Sequence, residues 1–263
     1  MAKTFLCHRV VARLNFGETP FDVLNDFLIN LNNINKDYLD GLPKWSGTFK
    51  QKRLVEYIFL ITQQLKLDPS VGYHAIELLQ SVAINESKRY GDLIFNNLKD
   101  TFPLILFSCV QLANKLFLHC HVNTSTAVQF LYSLGLSVSK QTLLESELMV
   151  FKGVEYRLNV LNSLTYVEVI LEVLGHNEPS VPVEHLYRLC HYVLQFVTLE
   201  QTAIYDSLLR SPHASPCYSF HDAFCQRKVV GELSHITGIT RRNITEFALV
   251  IVAHITGTSS SAV

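Results

Sequence analysis

Glycine and proline are scarce: 263 residues hold 11 Gly and 8 Pro, thin for a chain built on tight turns. Net charge is nearly absent, with 22 Lys and Arg against 23 Asp and Glu and a formal charge of −1. A general phosphate-binding surface is therefore not expected, although a local basic patch is allowed. Low hydrophobicity is missing too: 48% of residues are hydrophobic and only 17% charged, which excludes disorder for most of the chain. No apolar run reaches the length that spans a bilayer. The best, Leu104 to Leu118, is interrupted by Gln111, Asn114 and Lys115. The six cysteines form no Cys-x-x-Cys, no secretory leader precedes them, and Cys109 and Cys190 lie within apolar helical patterns. Free thiols in a reducing compartment are expected. Lys3, Arg9 and Arg13, with no acid before Glu18, match a mitochondrial transit peptide only faintly, because the stretch is short and lacks serine.

Enzyme signatures are also missing. There is no Gly-x-Gly-x-x-Gly, no phosphate loop, no His-Glu-x-x-His and no Gly-x-Ser-x-Gly. No catalytic residue and no cofactor are expected.

What the chain does have, from end to end, is helical period. Phe21 to Leu31 places Val23, Leu24, Phe27, Leu28 and Leu31 on one face after a Thr19-Pro20 start signal. Lys50 to Leu65 and Val71 to Ile84 repeat the spacing, separated by Asp68-Pro69-Ser70. Residues 85–100 are polar and irregular and read as a loop or insertion. Pro103 opens a helix from Leu104 to Leu118 that is apolar nearly all round, which belongs at the centre of a bundle. Leu106, Val110 and Ala113 are its expected core residues. Helices follow at Thr124 to Leu134, stopped by Gly135, at Ser139 to Tyr156, and at Thr165 to Leu174, stopped by Gly175. Val183 to Leu209 is one long helix or two abutting ones, and Lys228 to Ile236 and Asn243 to Ile255 are the last two. No alternating run bounded by hairpin signals occurs, so the fold class is all-α. Five helices fall between about 50 and 158 with the most apolar one third, and fewer than five fall in the remainder.

Five short helices around an apolar third resemble the cyclin box, and particular residues carry the likeness. Leu112-Ala113-Asn114-Lys115-Leu116 closes the apolar helix where cyclins place Leu-Ala-Ser-Lys, and Leu144-Glu145-Ser146-Glu147-Leu148 is similar to the cyclin fifth helix with its Glu. A finer likeness, to a branch of the cyclin family that acts in meiotic crossover formation, runs through Ser108-Cys109-Val110-Gln111-Leu112-Ala113, Tyr166-Val167-Glu168, Leu171-Glu172-Val173-Leu174-Gly175 and Ile236-Thr237-Gly238-Ile239. It covers nearly the whole chain from about Phe16.

The resemblance implies a regulatory protein: an N-terminal helical extension over 1–49, a cyclin box over 50–163, an incomplete second cyclin-like region over 164–256 and a tail over 257–263. It implies that Lys115 and Glu147 reach a partner helix, as the matching residues do toward a cyclin-dependent kinase. It also implies crossover machinery of the ubiquitin-ligase or clamp-loader kind as partners, and a nuclear, chromosomal location with a cytoplasmic pool allowed. Three departures cut against kinase binding. Leu116-Phe117-Leu118-His119 lacks the two acids that commonly follow the Lys. Lys50-Gln51-Lys52-Arg53-Leu54 replaces the substrate-docking Met-Arg-Ala-Ile-Leu, and Leu161-Asn162-Ser163 replaces the linking Pro-Thr-Pro. In the second half, Ser211 to Arg227 is too polar and Pro-broken to supply a central helix.

Two alternatives stand beside this reading: a conventional kinase-activating cyclin, and a transcription-factor-type adaptor that contacts DNA. For the latter, Val229 to Ile251 reads as helix-turn-helix, with Arg241, Arg242 and Asn243 at the start of the second helix where base and phosphate contacts are made. The net charge weighs against it. His213, Cys217, His221 and Cys225 recur every four residues but lack the close Cys pairs of zinc sites, and His119-Cys120-His121 is shorter of ligands still, so no metal is expected. Thr19-Pro20, Ser211-Pro212 and Ser215-Pro216 are proline-directed phosphorylation dipeptides, a pattern that more often only forms turns.

Overall fold

The computed structural model describes residues 19–41, 52–90, 102–117, 122–160, 162–210 and 224–257. Among them are eleven helices and no strand: α1 (Phe21–Gly41), α2 (Lys52–Gln64), α3 (Pro69–Tyr90), α4 (Phe102–Phe117), α5 (Thr124–Ser133), α6 (Lys140–Gly153), α7 (Ser163–Asn177), α8 (Val183–Leu199), α9 (Gln201–Arg210), α10 (Phe224–Thr237) and α11 (Arg241–Thr256). The all-α class read from the sequence holds. No helix among the described residues is long and apolar enough to cross a membrane. Two compact units share the chain: α2 to α6 form the first, and α1 together with α7 to α11 forms the second.

In the first unit α4 packs against α2, α3 and α6, with α5 laid on α6. Every residue from Leu104 to Asn114 is buried, because an apolar surface on all sides of a helix is removed from water only when neighbours enclose it. Leu106, Val110 and Ala113 are core, as their spacing predicts. Phe107 is fully buried and stacks on Phe130 with centroids 5.7 Å apart. α3 is the second wall, buried continuously from Val71 to Gln80. Gly72 lets Phe59 and Thr62 of α2 approach to 3.0–3.3 Å of where a Cβ would stand. The caps are side-chain oxygens: Asn123 Oδ1 accepts from the Thr126 N–H and Ser139 Oγ from the Thr142 N–H. Gly135, at φ +81°, ends α5 as expected. α6 stops through a left-handed pair without glycine, Glu155 and Tyr156, over which Tyr156 meets Phe151 edge-on at 5.1 Å.

In the second unit the core cluster is Leu24, Leu171, Val173, Leu174, Val183 and Ile236. α1 therefore contributes to it directly, and the Tyr166 hydroxyl donates to the Leu31 carbonyl at 3.4 Å.

Three expectations need correction. α3 continues to Tyr90 rather than yielding to a loop at residue 85. Its extra turn is made of good helix formers such as Glu86, Lys88 and Arg89, and the Asn85 amide donates to the Gly153 carbonyl at 3.0 Å. Gly175 does not stop α7, which runs to Asn177. The glycine instead admits Val183, whose Cγ2 lies 3.0 Å from the position of a Cβ. Finally, among the described residues five helices rather than fewer occupy the chain from Ser163 onward, because it breaks at Glu200 between α8 and α9.

Cys109 is a free, buried thiol whose pKa burial pushes up to about 12, and Cys190 is a free, half-buried one pushed in the same direction. His119, Cys120, His121, His213, Cys217 and His221 lie outside the described residues, as does the side chain of Cys225. The same holds for Lys3, Arg9, Arg13 and the Ser-Pro pairs at 211 and 215. No cluster of potential metal ligands occurs among the described residues.

Candidate functional site

Lys115 occupies the last turn of α4, where a cation complements the negative helix end. Its side chain is 48% exposed, while that of Glu147 on α6 is 8% exposed. The structure brings them together: Lys115 Nζ donates to Glu147 Oε2. One residue earlier on α6, buried Ser146 accepts a hydrogen bond from Ser108 Oγ at 2.8 Å. Gln111, also buried, has a side-chain carbonyl oxygen with no hydrogen-bond partner among the described residues.

The sequence contained a signal for this polar seam that residue-by-residue reading missed. Ser108, Gln111 and Lys115 stand three and four apart, so in a helix they share one face. Apart from Asn114 they are the polar residues of the helix, and the bonds of Ser108 to Ser146 and of Lys115 to Glu147 turn their stripe to α6. Leu144 and Leu148, one turn apart on α6, are each about half exposed (47% and 48%), and Leu116 beyond Lys115 is 39% exposed. The edge thus offers a carboxylate held by its own lysine, an ammonium reaching solvent, and leucines left exposed among the described residues. An anchored carboxylate can accept from a partner's N–H groups, and the ammonium keeps donors for carbonyl oxygens.

The second set of candidate residues, at the start of α11, is arranged differently. Thr240 caps the helix by accepting from the Asn243 N–H at 3.3 Å. Arg241 lies over Gly231 of α10, its Nη2 3.1 Å from where a Cβ would be. Arg242 donates through Nε to Glu246 Oε1 at 2.7 Å, and that contact raises its pKa. All three side chains are exposed, and the Arg242 guanidinium is paired within the second unit. Of the residues that differ from the cyclin pattern, Lys52 and Arg53 are exposed on α2.

No family model matches the chain. Over 93% of its length it is 31% identical to mouse cyclin N-terminal domain-containing protein 1, covering 87% of that protein. It is likewise 31% identical over 93% of its length to the human protein of the same name, covering 88% of it. The likeness thus embraces both helical units, including the α4 and α6 segments that form the edge, and the chain belongs to the cyclin N-terminal domain-containing protein 1 family of cyclin-like proteins.

Proposed function

We propose that this protein is a non-catalytic, cyclin-like factor that acts by protein contact, in the nucleus and on meiotic chromosomes, to promote the maturation of crossovers. Its docking surface is the α4–α6 edge. The observation that carries the reading is the Lys115–Glu147 pair, formed beside the exposed Leu144 and Leu148. Such an edge fits a partner helix with an apolar stripe and N–H groups or a cation beside it. The partner is a cyclin-dependent kinase or a component of ubiquitin-ligase or clamp-loader machinery. The absence of acids after Lys115 weakens the kinase case, and affinity purification from meiotic gonad with mass spectrometry separates the candidates. The alternative DNA-contacting role finds less support, since Arg242 is paired with Glu246 and the net charge is −1.

The test exchanges the charges. Lys115→Glu combined with Glu147→Lys keeps an internal ion pair but presents the partner with inverted signs. With the fold verified by circular dichroism, partner recovery should fall by roughly 2–5 kcal/mol of binding if the pair is buried at the interface. A loss under ~1 kcal/mol is what a mere surface pair would give. Normal partner recovery with normal crossover numbers in animals carrying the folded double variant would remove this edge from the account.

A further inference from the structure

The second unit holds the start of α1 by the backbone of one residue. The Thr19 N–H donates to Glu172 Oε1 at 3.4 Å, and His176 Nε2–H donates to the Thr19 carbonyl oxygen at 3.0 Å. Both partners lie on α7, one turn apart, and the Phe21 ring meets His176 edge-on at 6.3 Å. Glu172 is buried, whereas Thr19 is only half-buried. Thr19 precedes Pro20, which disfavours helical backbone at Thr19 and keeps it in the extended form that a kinase reads. We propose that Thr19 is a phosphorylation site for a proline-directed protein kinase, and that its phosphorylation unlatches α1 from α7.

In the reaction the Thr19 hydroxyl oxygen attacks the γ-phosphorus of a nucleoside triphosphate held by the kinase. The O–P bond forms, the bond to the β–γ bridging oxygen breaks, the hydroxyl proton passes to the kinase's base, and nucleoside diphosphate leaves. The ester carries about −1.5 to −2 charges next to the buried Glu172 carboxylate. Asp22, in the first turn of α1, adds a second negative charge nearby. The N–H groups opening α1 attract the phosphate, but they do so whether or not α1 is latched and so do not shift the balance. Only the Glu172 repulsion is confined to the latched state. His176 opposes it only when protonated.

The full-length chain is treated with a proline-directed kinase and ATP, the site is mapped by mass spectrometry, and hydrogen exchange is followed in α1 and α4. Phosphate should appear on Thr19 and be lost in Thr19→Ala. Exchange at Leu24 to Leu31 should accelerate about tenfold, with α4 unchanged. In phosphorylated Glu172→Gln the acceleration should disappear. No incorporation at Thr19, unchanged α1 exchange in the phosphorylated wild-type chain, or equal acceleration in Glu172→Gln would each overturn the proposal.

Discussion

Among the described residues the first unit holds five helices and the second six, and the two are held together differently. In the first, the third helix, α4, is enclosed from Leu104 to Asn114, and its one charge, Lys115, waits until the last turn. In the second, α9 buries Ile204 alone among its described side chains, and α8 buries only Val183 and His191 along its length. Leu189 and Tyr192 on α8 remain about half exposed, at 48% and 54%. The second unit compensates by recruiting α1, whose Leu24 and Leu31 are 5% and 1% exposed. Among the described residues, the box with an apolar central helix is built from one consecutive run, α2 to α6. One without it draws on a segment far away in the chain, and the ties of that segment become points where its stability is adjustable.

The largest effect should come from the enclosed helix. Phe107→Ala removes a fully buried ring and its stacking on Phe130, at a cost of about 3–5 kcal/mol. Urea unfolding with hydrogen exchange read at α4 measures it. Leu31→Ala should cost about 2–3 kcal/mol, in the lower part of the range for buried leucines, because Phe27 and Ile34 show that much of α1 already faces water. Exchange should quicken in α7 and leave α4 untouched. Equal loosening of α4 by Leu31→Ala would break the distinction between a self-closed unit and one that borrows.

Legibility followed the same division. α4 and its core residues could be read because a fully apolar helix has one physical solution, burial at the centre. The Lys115–Glu147 edge came from likeness to cyclins, whereas Ser108 and Gln111 could have been found from spacing alone. In the second half local signals pointed the wrong way. Gly175 looks like a helix stop, yet its role is set by Val183, a tertiary contact that no window around the glycine reveals. The break at Glu200 falls in continuous helical periodicity with no Gly or Pro to mark it. The place of α1 in the second core is a long-range fact, and its amphipathic pattern says only that some core receives it.

The edge itself distinguishes charge burial from charge display. Lys115→Met leaves the Glu147 carboxylate buried without its cation, and should cost about 1–3 kcal/mol after allowance for water reaching the half-exposed side. Glu147→Gln keeps an acceptor for Lys115 and should cost less, under ~1 kcal/mol. Chemical denaturation of the two variants compares them directly. Equal losses would mean that the pair's worth lies in attraction rather than in satisfying the buried oxygen.

A smaller, pH-dependent difference between the units is expected at His74. Burial lowers its pKa, opposed by its hydrogen bond to the Leu158 carbonyl at 2.7 Å and by the Glu77 charge. A histidine depressed in the folded state binds fewer protons there than in the unfolded chain, so its contribution is complete above the ordinary histidine range and is lost as pH falls through that range toward the folded value. The urea midpoint of the first unit should therefore drop on acidification from neutrality, and His74→Gln should flatten that drop. A profile unchanged by the substitution would assign the acid sensitivity elsewhere.

The smallest effect tests whether function belongs to the first unit at all. In the second, α10, the turn at Gly238 and α11 have the order of a DNA-reading helix pair, and three exposed polar residues open α11. Yet Arg241 lies over Gly231, Arg242 is held by Glu246, and the chain's net charge of −1 supplies little long-range attraction to phosphate. An exposed pair one helical turn apart adds little to stability, so Arg241→Ala with Arg242→Ala should leave thermal unfolding unchanged. Duplex DNA binding, measured by fluorescence anisotropy at physiological salt, should be weak in the wild-type chain and no different in the double variant. Sub-micromolar binding that disappears in the variant would mean that these arginines contact phosphate, Arg242 leaving Glu246 to do so. The second unit would then be the reader, and the Lys115–Glu147 edge would lose its place as the seat of function.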